Sequence, residues 1–166
     1  MEAPGFVRGF VRAGLWVTEH LAFIAPLATR ITIGLGFLHT GWGKLHNFDR
    51  TVEYFSTLGI PMPAVNAGVV GTLELVGGAF LIVGLLTRLF AFALSASMTV
   101  ALMTADRASF LASWGNASET SPTDVASFVF LLFLVWLVLL GPGALSLDRV
   151  VFGKLASKLK GAAPAP

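Results

Sequence analysis

"FVFLLFLVWLVLL", residues 128–140, holds no charged or amide side chain, no glycine and no proline. Such a run suits lipid or the core of a large protein, and this chain is not large. Of its 166 residues, 55% are hydrophobic and 12% charged, with a mean hydropathy of +0.81. Soluble domains carry about 25% charged residues, so about half of the usual solubilising charge is missing. The run therefore reads as a membrane span over about 125–140. It stops at Gly141-Pro142-Gly143, where backbone freedom and a missing N–H donor end a helix.

Working outward from this span, three further segments are apolar over nearly the ~20 residues that a crossing needs. They cover about 21–45, 65–86 and 89–105, the last two separated by a tight Leu-Thr-Arg turn. The expected fold is all-α, an integral membrane four-helix bundle occupying 21–148. "FDRTVEYFSTLGIPMP", residues 48–63, spaces Val52, Phe55 and Leu58 helically before a Gly-Ile-Pro stop. That pattern predicts an interfacial half-helix capping the bundle after the first span. "DRASFLASWGNASETSPTD", residues 106–124, is polar enough to be expected as a true loop. Its Asn116-Ala117-Ser118 matches a glycosylation acceptor, a tripeptide common by chance.

The two ends read as amphipathic terminal helices. Residues 1–20 lack an apolar stretch followed by a cleavage site, and Arg8 and Arg12 interrupt them. They are expected as a lead-in on the membrane surface, anchored by Phe6, Phe10 and Trp16. Residues 149–166 comprise a basic helix suited to anionic lipid and a disordered "GAAPAP" end. Loop charge sets orientation. Arg8, Arg12, Arg88, Arg149, Lys154, Lys158 and Lys160 fall on one side, whereas Lys44, Arg50 and Arg107 are diluted by acidic residues on the other. Both termini are therefore expected in the cytoplasm, with the chain multi-pass in a bacterial inner membrane.

The first span carries cations that a plain membrane anchor does not need. In "RITIGLGFLHTGWGKLHNF", residues 30–48, Gly34, Phe37, Gly41 and Lys44 fall within about 40° of Arg30 at ~100° per residue. His39 and His46 lie on nearly the opposite side. In the second span, Glu74 sits in "GTLELVGGAFLIVGL" with Gly71, Gly78 and Arg88 within about 60° of it. An unpaired carboxylate at mid-membrane costs about 2.5–3.5 kcal/mol on the mildest scale, so Glu74 needs a partner or a proton. An antiparallel hairpin is expected to put it between Arg30 and Lys44 in depth, nearer the Gly34 level. Arg30 and Lys44 are the expected partners. Two readings stay open: polar glue between helices, or a pocket for a head group such as a quinone carbonyl, or a proton relay. Ser95, Met98 and Thr99 are candidates to line the same cavity or to serve as ordinary packing.

The chain has no cysteine, which excludes disulfides, thiol catalysis, Fe–S clusters and Cys-ligated metals. Its three histidines, His20, His39 and His46, all precede or lie in the first span. Facing axial ligands for a haem are therefore not expected, nor is a metal site. His46, beside Asn47 and Asp49, is a candidate donor to a head group at the interface. No catalytic residue is identified.

"GLGFLHTGWGKLHNF" (34–48), "LGIPMP" (58–63), "ELVGGAFLIVGLLTR" (74–88) and "GPGALSLD" (141–148), in this order, resemble the DoxX family, the small four-span membrane proteins grouped with DoxD and MauE. The resemblance covers about residues 25–148. It implies association with oxidoreductase complexes, as in DoxD-like subunits of thiosulfate:quinone oxidoreductases, or an assembly role as in MauE-like members. The family's recurrent Arg, Lys and Glu positions map onto Arg30, Lys44, Glu74 and Arg88. No redox centre of the chain's own is visible, so electron transfer requires a bound quinone or a partner's cofactor. The expected function is that of a redox-associated membrane subunit binding quinone or a similar amphiphile at Arg30, Lys44, Glu74, Arg88 and His46. The alternatives are a non-catalytic scaffold for a soluble redox partner and a small-solute transporter. Membrane lipid and a redox partner protein are the expected partners, a homo-oligomer is open, and no nucleic acid is expected.

Overall fold

The computed structural model describes residues 23–115 and 121–151, with positions 6, 7, 12, 21 and 153 as isolated points. The expected surface lead-in and basic C-terminal helix thus lie almost wholly outside the described residues, as do Phe10, Trp16 and Asn116-Ala117-Ser118. Among the described residues the fold is all-α, without a strand. Helix α1 runs Ile24–His46, α2 Phe48–Thr57, α3 Pro63–Val83, α4 Thr87–Met103, α5 Arg107–Ala112 and α6 Ala126–Leu140. A 3-10 turn, Pro122–Asp124, leads into α6.

The four longer helices close a ring in which α1 packs on α3, α3 on α4, α4 on α6 and α6 on α1. The α1–α3 and α4–α6 contacts are extensive, whereas the α3–α4 seam between those pairs is thin and the α6–α1 seam thinner still. Ile33, Phe37, Leu81, Ala91, Leu94, Met98, Leu134 and Leu137 form the buried core. On α1 the buried residues are Arg30, Ile33, Gly34, Phe37 and Gly41, a single face at three- and four-residue spacing.

Glycines fix how α1 and α3 meet. Gly34 lies against Gly78 and Ile82, and Gly41 against Gly71 and Leu75, backbone to backbone. A Cβ added to Gly78 would stand 2.6 Å from the Gly34 carbonyl oxygen, so only glycine allows this approach. Such small-residue contacts drive helix pairing where lipid removes the hydrophobic drive.

The connections follow from local chemistry. Asn47 ends α1 and opens α2, and the Thr51 hydroxyl donates to the carbonyls of Asn47 at 3.0 Å and Lys44 at 3.1 Å. Asp49 sits in the first turn of α2, where the helix dipole favours an acid. Helix α2 buries Phe55 and packs on α3 and α1, as expected of a half-helix over the bundle. It closes at Gly59 (φ 69°), with the Ile60 N–H donating to Phe55 O at 3.1 Å. Pro63 then starts α3 at a position where its missing N–H costs nothing.

Helix α3 ends the same way at Gly84 (φ 72°). Leu86 adopts a left-handed φ of 50° before α4. Asp148, from the far end of the chain, caps α4 with both carboxylate oxygens, accepting from Leu86 N at 2.6 Å and Thr87 N at 2.9 Å.

The described parts of the 106–124 segment, 106–115 and 121–124, are not the free loop that their polarity suggests. Phe110 in α5 packs on Trp114 and Phe128, with ring centroids 6.0 and 5.1 Å apart. That aromatic cluster gives α5 a point of packing against α6, although no residue of α5 is fully buried. Ser121 and Asp124 then make a reciprocal capping box on the 3-10 turn.

The outside of the ring is apolar. Leu35, Val69, Phe92, Leu132 and Leu139 are between 52% and 71% exposed. Helix α3 alone is long and apolar enough among the described residues to pass as a crossing by length and composition, with α4 and α6 apolar but shorter.

Candidate functional site

Glu74 is 1% exposed at the centre of α3. Its Oε2 accepts from the Lys44 ammonium, and the two form an ion pair with side-chain exposures of 2% and 27%. The glycine register explains the choice of partner. With Gly41 seated on Gly71 and Leu75, Glu74 lies level with the last third of α1, about one turn from Lys44. Arg30 is then ten or so residues farther along the axis, about 15 Å at 1.5 Å per residue.

The expectation that Arg30 flanks Glu74 is therefore corrected. Arg30, 1% exposed, turns instead to the opposite end of the bundle. There it donates to the Leu145 carbonyl, lies against Gly84 and feels the charge of Asp148. A Cβ on Gly84 would collide with the guanidinium, so glycine serves both the turn and the arginine. Among the described residues, the Arg30 Nε and Nη1 atoms and the Thr87 hydroxyl are buried without a partner.

Arg88 does not join Glu74 either. The helix breaks at Gly84 and Leu86, so Arg88 belongs to α4 and the helical angle that related it to Glu74 does not apply. Its guanidinium reaches the end of α6, donating to Leu139 O at 3.4 Å and lying beside Gly141. His46 is exposed and stacks on Trp42, centroids 6.0 Å apart, away from the carboxylate. Of the five expected site residues, Lys44 and Glu74 come together and the other three stand apart.

The pair borders a cavity of about 420 Å³. It opens along the thin α3–α4 seam and is roofed by Tyr54 and Phe55 of α2. Its walls are mainly Val70 and Leu73 of α3 and Ala93, Ala96 and Ala101 of α4; Asn66, Ser97 and Thr104 add polar groups. Of the three candidates named from sequence, Met98 lines it. Ser95 and Thr99 do not line it; their hydroxyls donate to backbone carbonyls of their own helix, Ala91 O at 2.7 Å and Ser95 O at 2.8 Å.

Sequence reasoning missed Tyr54, Asn66 and Ser97. A signal for Ser97 was present: Ala93, Ser97 and Ala101 repeat small residues every four positions, which leaves α4 a shallow face. The volume falls within the ~300–1,000 Å³ of small-molecule sites, and mostly apolar walls with a few convergent polar groups are typical of them. Lys44 supplies a donor and Glu74 an acceptor side by side, complementary to a ring bearing carbonyl or hydroxyl oxygens. Among the described residues no three His, Asp or Glu side chains gather as metal ligands would.

The DoxX family model matches residues 25–107. The "Inner membrane protein YphA" of Escherichia coli (strain K12) is 32% identical over 133 residues, covering 74% of this chain and 87% of that protein. The "Uncharacterized membrane protein Rv3486" of Mycobacterium tuberculosis (strain ATCC 25618 / H37Rv) is 36% identical over 132 residues, covering 74% and 78%. A Bacillus subtilis (strain 168) protein named "Putative oxidoreductase CatD" is 29% identical over 130 residues, covering 78% and 88%. No solved structure matches the chain.

Proposed function

The chain belongs to the DoxX family of membrane proteins, and from that premise we propose that it is a membrane subunit of an oxidoreductase system that binds a quinone or similar amphiphile at Lys44 and Glu74. The observation that carries this reading is a carboxylate, 1% exposed, paired to lysine at the edge of an apolar cavity. Ionisable groups inside membrane proteins are expensive and mark ligand or proton pathways. Lys44 donates to a ring carbonyl, and Glu74 accepts from a ring hydroxyl. Electrons come from a partner protein's cofactor, because neither Lys44 nor Glu74 is itself redox-active. The name of the Bacillus relative is in keeping with redox chemistry. The chain sits in an inner membrane with both termini cytoplasmic, its four longer helices spanning.

Mass spectrometry of lipids co-purified with the wild type and with Glu74→Gln tests this reading. The expected result is quinone retained by the wild type and lost by a folded variant. Quinone absent from both, with unchanged folding, would leave the pair as structural glue and favour a scaffold for a redox partner.

A further inference from the structure

A second hollow lies beside the head-group cavity. It has about 490 Å³ and follows the outward face of α3, bounded by Gly68, Val69, Thr72, Val76 and Phe90. Val69 and Val76 are 58% and 38% exposed, so the hollow faces what surrounds the bundle. One residue, Leu73, lines both this groove and the cavity. The helical wheel explains why. At ~100° per residue, Val70 and Glu74 look toward α4, Val69, Thr72 and Val76 look outward, and Leu73 stands on the boundary. The thin α3–α4 seam passes that boundary.

Volume decides what the two spaces hold. The inner cavity, about 420 Å³, has room for a ring and a short substituent, not for a long chain as well. An amphiphile held by its ring at Lys44 and Glu74 must send its tail out. At the lipid-facing side the tail keeps its apolar surface out of water, whereas an exit past Asn66 and Thr104 leads toward polar groups.

We propose that Leu73 is the threshold between a ring site and a tail groove, so that the ligand is a long-tailed, membrane-borne amphiphile rather than a water-soluble solute. Resting on the quinone reading above, this deepens it by fixing ligand class and entry route. The ring passes Leu73 from the lipid side, and the tail remains along Val69, Thr72 and Val76.

The test uses the full chain in lipid nanodiscs and two probes, a methylated benzoquinone without a tail and the same ring with a ten-carbon tail. With affinity referred to the probe's concentration in the lipid, the wild type is expected to bind the tailed probe at least about tenfold more tightly, because the groove packs against the chain more closely than fluid lipid does. Val69→Trp, which fills the groove without touching the inner cavity, should cancel most of that gain and leave the tailless probe unchanged, and Leu73→Trp, which narrows the threshold, should cancel it as well. Val69 does not line the inner cavity, so its variant stands if Leu73→Trp fails to fold. A folded Val69→Trp or Leu73→Trp protein with the full tailed-probe affinity would overturn the groove while the ring site stands. A Leu73→Trp protein that loses both probes equally, with Val69→Trp unaffected, would overturn it too. A wild type that binds neither probe would bring down the ring site itself.

Discussion

Lys44 and Glu74 separate polar glue from a ligand site, and single and double substitutions tell the two apart. Lys44→Met leaves the Glu74 carboxylate buried without a partner. Its expected cost is about 3 kcal/mol, the low end for breaking a buried pair because Lys44 is 27% exposed, read as a fall in thermal unfolding temperature. Lys44→Met with Glu74→Leu removes both charges and should recover most of that stability. The double variant should nevertheless lose quinone, whereas one that keeps it would show that the pair does not hold the ring. Arg30 makes the opposite prediction. Its guanidinium grips the Leu145 carbonyl far from the cavity, so Arg30→Met should loosen residues 141–151 to limited proteolysis while quinone binding persists.

At the scale of helices and turns, glycines carry unequal burdens. Gly43 has nothing within 4 Å of where a Cβ would sit, so Gly43→Ala should leave thermal stability unchanged or raise it by up to ~1 kcal/mol. Gly84→Ala should destabilise clearly, since φ is 72° and the Arg30 guanidinium fills the space. The same elements show what the sequence made legible. Unbroken apolar runs and their stops revealed the helices because lipid demands length, closed hydrogen bonding and few charges. The wheel put Glu74, Gly71 and Gly78 on one face of α3, and that too was readable. Depth was not. A wheel supplies angles, and the axial register of α1 against α3 depends on how α2 and the turn at Gly59–Met62 return the chain. Hence Arg30 was expected beside Glu74 together with Lys44, and of the two only Lys44 takes that place. Arg88 misled for a related reason: angle relative to Glu74 has meaning only on a continuous helix, and left-handed Gly84 and Leu86 break it. Helix α5 was hidden because its support, Phe128 against Phe110, comes from the next span.

For the whole molecule, a ring of helices with apolar residues outside and, among the described residues, one ion pair inside suits the proposed role of recruiting ligand from lipid and leaving redox chemistry to a partner. The absence of native cysteine makes orientation directly measurable. A cysteine at Arg149 should react with membrane-impermeant maleimide only from the cytoplasmic side, and one at Arg107 only from the other; both labelled from one side would overturn the proposed topology. The central claim is that the cavity between α3 and α4 is where the ligand's ring sits. Photolabelling of the full chain in nanodiscs with an azido-quinone, followed by peptide mapping, tests it most directly. Label is expected on Tyr54, Leu73 or Ser97, suppressed by unlabelled quinone and absent from Lys44→Met with Glu74→Leu. Label confined to outward residues such as Phe92 and Leu139, and indifferent to competition, would contradict it.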